Sequence, residues 1–239
     1  MKLIVTDAAS AAAQAAELYK DLLQRKPNAV LGLATGSTPL GLYARLRALY
    51  EAGSISFRDA TSFNLDEYVG LPPTHDQSYR YFMEYNLFSH IDLPRERISV
   101  PSGIDTSADA LAGYDAAIEA AGGIDLQLLG LGGNGHIGFN EPGTPFELGT
   151  HVVELTERTR RDNARFFSSI DEVPTHAATM GVKTVMHARA ILLLAFGPAK
   201  AEAVRASFAG PVTPEVPASV LQLHPDVTVF CDEEAAKLL

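Results

Sequence analysis

The stretch Ile124-Asp-Leu-Gln-Leu-Leu-Gly-Leu-Gly-Gly-Asn-Gly-His-Ile-Gly-Phe-Asn-Glu-Pro142 decides how this chain is read. Residues 124–131 are almost continuously apolar, the pattern of a strand covered on both faces rather than one with a solvated side. A glycine loop follows and presents Asn134, His136 and Glu141 together. Glycines let the backbone turn sharply and come close to a ligand, and an imidazole followed by a carboxylate can move protons near neutral pH. Taken alone, the segment also fits a hydrogen-bonded loop histidine and a solvated carboxylate.

Outward from this stretch, short β-rich runs alternate with helical patterns, the signature of parallel strands joined by helices. Strands are predicted at residues 2–5, 29–34, 61–65, 124–131, 152–155, 190–196 and 227–231. Helices are predicted at 8–25, 39–52, 78–88, 108–121, 198–208 and 218–221. The runs at 124–131 and 190–196 belong at the centre of the sheet. The expected fold class is therefore α/β, a doubly wound, mostly parallel sheet with helices on both faces, built as one domain over residues 1–239. Residues 143–179 are the least regular part; their charged stretch at 154–162 reads as a solvated surface helix or as a helical lid. Gly210-Pro-Val-Thr-Pro-Glu-Val-Pro217 reads as a rigid loop, because each proline fixes its φ.

The formal net charge of −10, from 29 acidic and 19 basic residues, opposes long-range attraction to nucleic acid or an anionic membrane. An anionic substrate must therefore meet a local cluster of donors. The amino-terminal residues turn polar at once and lack a secretory pattern, and no apolar run reaches bilayer length, so the expected compartment is cytoplasmic. The single cysteine, Cys231, sits in an apolar run and reads as a packing residue. The seven histidines show no ligand spacing, so no metal and no cofactor is expected.

Three further segments carry chemistry. Leu31-Gly-Leu-Ala-Thr-Gly-Ser-Thr-Pro39 is a strand running into Gly36, Ser37 and Thr38 before a helix, a combination suited to a phosphate. It lacks the Gly-Lys-Ser/Thr ending of a nucleotide loop, and Ser37 or Thr38 could instead merely cap the helix. Thr61-Ser-Phe-Asn-Leu-Asp-Glu-Tyr-Val-Gly-Leu71 delivers Asp66 and Glu67 to the end of a strand, where alternation turns one carboxylate toward the crevice and the other away. A carboxylate in a partly dry crevice is a stronger base than one in water. Arg165 and Lys200 supply positive charge; Lys200 falls in the first turn of a helix, where a cation is disfavoured unless an anion is near.

Together, Ala34-Thr-Gly-Ser-Thr-Pro39, Phe63-Asn-Leu-Asp-Glu-Tyr-Val-Gly-Leu71, Gly132-Gly-Asn-Gly-His-Ile-Gly-Phe-Asn-Glu-Pro142, Asn163-Ala-Arg-Phe-Phe167 and Leu221-Gln-Leu-His-Pro225 closely resemble the glucosamine-6-phosphate deaminases over almost the whole chain. The resemblance implies a sheet of modified Rossmann type and the conversion of glucosamine 6-phosphate and water into fructose 6-phosphate and ammonia without a metal. On that resemblance, Asp66 takes the C2 proton and returns it to C1. His136 opens the pyranose ring with Glu141 in support, Asn134 orients the imidazole, and Gly36, Ser37, Thr38, Arg165 and Lys200 hold the 6-phosphate.

Two departures stand out. Many larger relatives have an aspartate at the position of Asn134. Relatives activated by N-acetylglucosamine 6-phosphate carry basic residues where this chain has His151, Val153 and Glu154, and a longer carboxyl-terminal segment. Weak or absent activation is therefore expected, with a monomer or small homo-oligomer. The alternatives are a 6-phosphogluconolactonase-like hydrolase, whose family typically has Asp-Glu-Arg in place of Asp-Glu-Tyr68 and lacks the Phe139–Pro142 ending, and a non-catalytic sugar-phosphate-sensing domain.

Overall fold

The computed structural model describes residues 1–164 and 167–239. Its strands are β1 (Lys2–Val5), β2 (Val30–Leu33), β3 (Thr61–Asn64), β4 (Asp66–Tyr68), β5 (Ile98–Ser99), β6 (Leu126–Gly130), β7 (His151–Glu154), β8 (His176–Thr179), β9 (Ala190–Ala195) and β10 (Val227–Cys231). The helices are α1 (Ala8–Arg25), α2 (Leu40–Glu51), α3 (Tyr79–Asn86), α4 (Ala108–Ala120), α5 (Glu157–Asn163), α6 (Val182–Met186), α7 (Ala201–Phe208) and α8 (Glu233–Ala236).

Seven strands form a parallel sheet in the order β1-β10-β9-β6-β2-β3-β5. Every residue of β2 is buried, as are Ile191–Ala195 of β9, so side chains of both parities are covered and helices lie against both faces. Helix α1 begins where the Asp7 carboxylate accepts the amides of Ala9 and Ser10, and its small face of Ala11, Ala12, Ala15 and Ala16 lets α2 approach closely.

The winding explains where a site can form. From β2 the chain builds outward through β3 to β5, returns through α4 to β6 on the other side of β2, and continues outward to β9 and β10. The direction reverses between β2 and β6, so the loops that leave their carboxyl ends diverge and open a crevice. Those are the loops that carry Gly36 to Thr38 and Asn134 to Glu141.

The expected fold class is observed, with differences at the element level. The strand read at 61–65 ends at Asn64, and Asp66–Tyr68 belongs to a second, antiparallel sheet of order β4-β8-β7. The chain leaves the parallel sheet at Leu65, whose amide donates to Leu33 O and whose carbonyl accepts from Met180 N at 2.6 Å. Asp66 then pairs with Thr179, Glu67 with Ala178 and Tyr68 with Ala177. The strand read at 152–155 lies in this small sheet, and the seventh place in the large one is taken by the two-residue strand Ile98–Ser99. The helix read at 198–208 starts as a 3₁₀ turn, Pro198–Lys200, before α7, and the segment read as a helix at 218–221 is the 3₁₀ run Pro217–Leu223.

Candidate active site

Asp66 and the glycine loop meet at Gly138. With φ +57°, Gly138 has a backbone that only glycine adopts easily, and a Cβ there would lie 2.9 Å from Thr179 Oγ1 and 3.7 Å from Asp66 Oδ2. The loop is fastened to the small sheet on which Asp66 rides. Phe139 N donates to Thr179 Oγ1 at 3.1 Å, and Asn140 Nδ2 donates to both Ile137 O and Met180 O at 2.9 Å. Asp66 is buried, with only 6% exposure, and its carboxylate accepts no hydrogen bond among the described residues. Burial, and then the charge of Glu67, push its carboxyl up to about 8.

The imidazole of His136 rests on Gly132, where a Cβ would come within 2.4 Å of the ring. The turn is closed by Gly132 N donating to His136 O at 2.9 Å. His136 Nδ1 faces Glu141 Oε2 at 3.6 Å, which is ion-pair range but longer than a hydrogen bond. Asn134 spans the loop: its Nδ2 donates to Glu141 Oε2 at 2.7 Å, and its Oδ1 accepts His136 N at 3.2 Å. It thus braces the carboxylate and the backbone rather than the ring. Glu141 also accepts from Thr159 Oγ1 of α5. Burial opposes its charge, but the facing imidazole, Thr159 and Asn134 outweigh that and hold the carboxyl near 2. Glu141 is therefore ionised at neutral pH.

The segment read as a solvated helix or lid is α5, and its buried Thr159 reaches into this cluster. Arg158 beside it lies over Gly133, where a Cβ would be 2.8 Å from its Nη2 and 3.9 Å from Ala199 O. The glycine loop, α5 and the turn bearing Lys200 are therefore neighbours. The proline-rich loop braces the same turn from behind: Ala218 N donates to Gly135 O at 2.9 Å, and Val216 fills the space a Cβ on Gly135 would need.

Of the residues expected to hold phosphate, Ser37 and Thr38 line a groove of about 560 Å³ that also includes Arg45 and Phe196. Phe196 ends the segment that leads to Lys200, so the two loops share this groove. Neither hydroxyl caps α2, whose N-cap is Pro39 with no side-chain cap; the capping alternative is thereby removed and the first amides of a 12-residue helix stay available. Gly36, with φ +92°, opens on the other side into a cavity of about 190 Å³ walled by Tyr68, Tyr79, Tyr85, Asn163 and Phe167. Lys200 closes the 3₁₀ turn before α7. Arg165 lies outside the described residues.

Sequence reasoning missed the aromatic wall. Tyr68 sits 4.7 Å from Tyr79, 5.9 Å from Phe139 and 5.8 Å from Phe167, centroid to centroid. Phe139 stacks with Tyr79 at 6.0 Å. Thr159 was missed as well; the Thr156-Glu-Arg-Thr159 run, with Thr156 as N-cap, was its only local signal.

The fold has counterparts among known proteins. Residues 6–230 match the family described as glucosamine-6-phosphate isomerases/6-phosphogluconolactonase. A glucosamine-6-phosphate deaminase of Lachnoclostridium phytofermentans is 55% identical over 97% of this chain and 99% of its own length. A solved monomeric glucosamine-6-phosphate deaminase superposes with a TM-score of 0.97 at 46% identity, covering all of both chains. A 6-phosphogluconolactonase from Trypanosoma brucei shares the fold alone, with a TM-score of 0.77 at 20% identity over 100% of this chain and 98% of its own. The chain belongs to the glucosamine-6-phosphate isomerase/6-phosphogluconolactonase family, on its glucosamine-6-phosphate deaminase branch.

Proposed function

We propose that this protein converts glucosamine 6-phosphate and water into fructose 6-phosphate and ammonia. The observation that carries the reading is the meeting of a buried, unbonded Asp66 with the loop that holds the His136–Glu141 pair. His136 opens the pyranose by moving a proton from the anomeric hydroxyl to the ring oxygen, and Glu141 stabilises the imidazolium that forms on the way. In the open chain, Asp66 removes the C2 proton as the C1 carbonyl becomes an enol, giving an enolamine. It returns the proton to C1, leaving an imine at C2 to which water adds before ammonia departs. A base whose pKa lies near the working pH suits both directions of that transfer. The steps are ring opening, proton transfers, addition of water and loss of ammonia from the resulting carbinolamine; none changes the overall oxidation state, so the reading needs no metal.

The 6-phosphate belongs at the α2 amides with Gly36, Ser37, Thr38, Lys200 and Arg165; anchoring it fixes C2 relative to Asp66. A phosphate also offsets the dipole penalty on Lys200. Residues 143–179 act as a lid, with α5 carrying Thr159 against Glu141. The protein works as a monomer in the cytoplasm, in keeping with the monomeric deaminase it superposes on.

The lactonase alternative is disfavoured by a specific contact. Tyr68, which lines the cavity, packs against Phe139, and these are the two positions at which the chain departs from lactonases. An assay offering glucosamine 6-phosphate, its N-acetyl form and 6-phosphogluconolactone tests the proposal. Ammonia release from the first alone is expected; lactone hydrolysis without ammonia release would overturn it, and binding without turnover would restore the sensing alternative.

A further inference from the structure

Glu67 is as buried as Asp66, yet strand alternation turns it to the other side of β4, and it has no part in the proton transfers above. Its carboxylate sits at the amino end of α3. Oε1 accepts the amides of Tyr68 and Tyr79, each at 2.8 Å, and Oε2 accepts the amide of Arg80 at 2.9 Å. Gly103 packs behind it, where a Cβ would lie 3.2 Å from Glu67 Cγ. Burial raises the Glu67 carboxyl above its ordinary value, and the three amide donors at the helix amino terminus work against that rise by favouring the anion. Its neighbour Asp66 has no such donors among the described residues. Two adjacent carboxyls in such different surroundings separate into an anchored anion and a group whose charge is disfavoured.

We propose that Glu67 is a positioning residue for the reaction: an anchored negative charge that keeps Asp66 a base strong enough for the C2 proton, while the same bonds fix the helix that brings Tyr79 to the cavity. This rests on the reading of Asp66 as the base. The other groups facing the pair are Tyr43 from α2, Tyr68 from β4, Tyr79 from α3 and Tyr114 from α4, with His75 before α3 and the His136–Glu141 pair across the loop. Arg80 and Glu84 of α3 border the groove beside Glu67. All four phenols are raised by burial and stay neutral at working pH, so Glu67 is the fixed negative charge on this strand.

The test is kcat/KM against pH for the parent, Glu67→Gln and Glu67→Asp. Glu67→Gln is expected to move the acid limb down by about one pH unit, as loss of a like charge should, whereas Glu67→Asp keeps the limb within about half a unit even where its rate falls. A limb unmoved in Glu67→Gln, or moved equally in both variants, overturns the proposal. Carbon-13 NMR of the labelled carboxyls in the parent protein needs no variant: Glu67 should ionise first and Asp66 last, and the reverse order overturns the proposal even if Glu67→Gln does not fold. Full turnover by Asp66→Asn would instead remove the base itself; an inactive Asp66→Asn with an unmoved Glu67→Gln limb removes only the role of Glu67.

Discussion

Asp66 shows how one residue serves chemistry at the expense of stability. Its folded-state pKa lies near 8, above the ordinary carboxyl value, so between about pH 4 and pH 8 the unfolded chain has lost a proton that the folded one keeps. Stability from this group is fully present below the lower value and falls as pH rises through that window. Asp66→Asn should therefore raise the melting temperature by an amount that grows from about pH 4 to about pH 8 and then levels off. A pH-independent difference between the two melting curves would contradict that. Glu141 has the opposite sign: its carboxyl is held near 2, so its contribution is present at neutral pH and is lost as pH falls from the ordinary carboxyl range through 2. Gly132 is set by space rather than charge. A methyl group there would meet the imidazole at 2.4 Å, so Gly132→Ala should displace His136 and lower kcat on the order of 10²-fold while the fold survives. Parent-like turnover would show that the ring position is unimportant.

At the level of elements, the long, patterned segments were legible and the short ones were not. The Asp7 cap and small-residue face of α1 gave that helix its observed bounds, and the apolar runs at 124–131 and 190–196 became the adjacent strands β6 and β9. The His176-Ala-Ala-Thr179 strand has no alternation and only one β-branched residue, Thr179, and it exists because β4 and β7 pair with it on either side. That pairing also hid the turn at Leu65, since the pattern runs on unbroken from Phe63 to Tyr68. The loop chemistry of Asn134, His136 and Glu141 was readable from residue types, whereas the aromatic wall was not, because Tyr68, Tyr79, Phe139 and Phe167 are distant in sequence. Helix α5 is the element whose part in the site is most easily tested. Thr156 caps it, and Thr156→Ala should cost about 0.5–2 kcal/mol locally. Thr159→Val removes the hydroxyl on Glu141 without loss of bulk and should slow turnover of the cyclic substrate more than that of an open-chain analogue. Equal losses on both would separate α5 from ring opening.

For the whole molecule, the winding reverses between β2 and β6 and so brings loops from distant parts of the chain to one rim. The positions that in activated relatives carry basic residues are engaged otherwise here: His151 Nδ1 bonds to Gly149 O at 2.9 Å, and Val153 and Glu154 pair with β8. Light scattering should give the single-chain mass of 25.6 kDa, and N-acetylglucosamine 6-phosphate should leave the rate unaccelerated. A hexamer with sigmoidal kinetics would contradict both expectations. The most direct measurement follows the C2 hydrogen itself, using glucosamine 6-phosphate deuterated at C2. In the parent protein the label should leave C2 and appear at C1 of fructose 6-phosphate or in solvent. Asp66→Asn should still bind the sugar but leave C2 labelled, with transfer slowed on the order of 10²–10⁴-fold. Loss of the C2 label at the parent rate in Asp66→Asn would show that another group takes this proton.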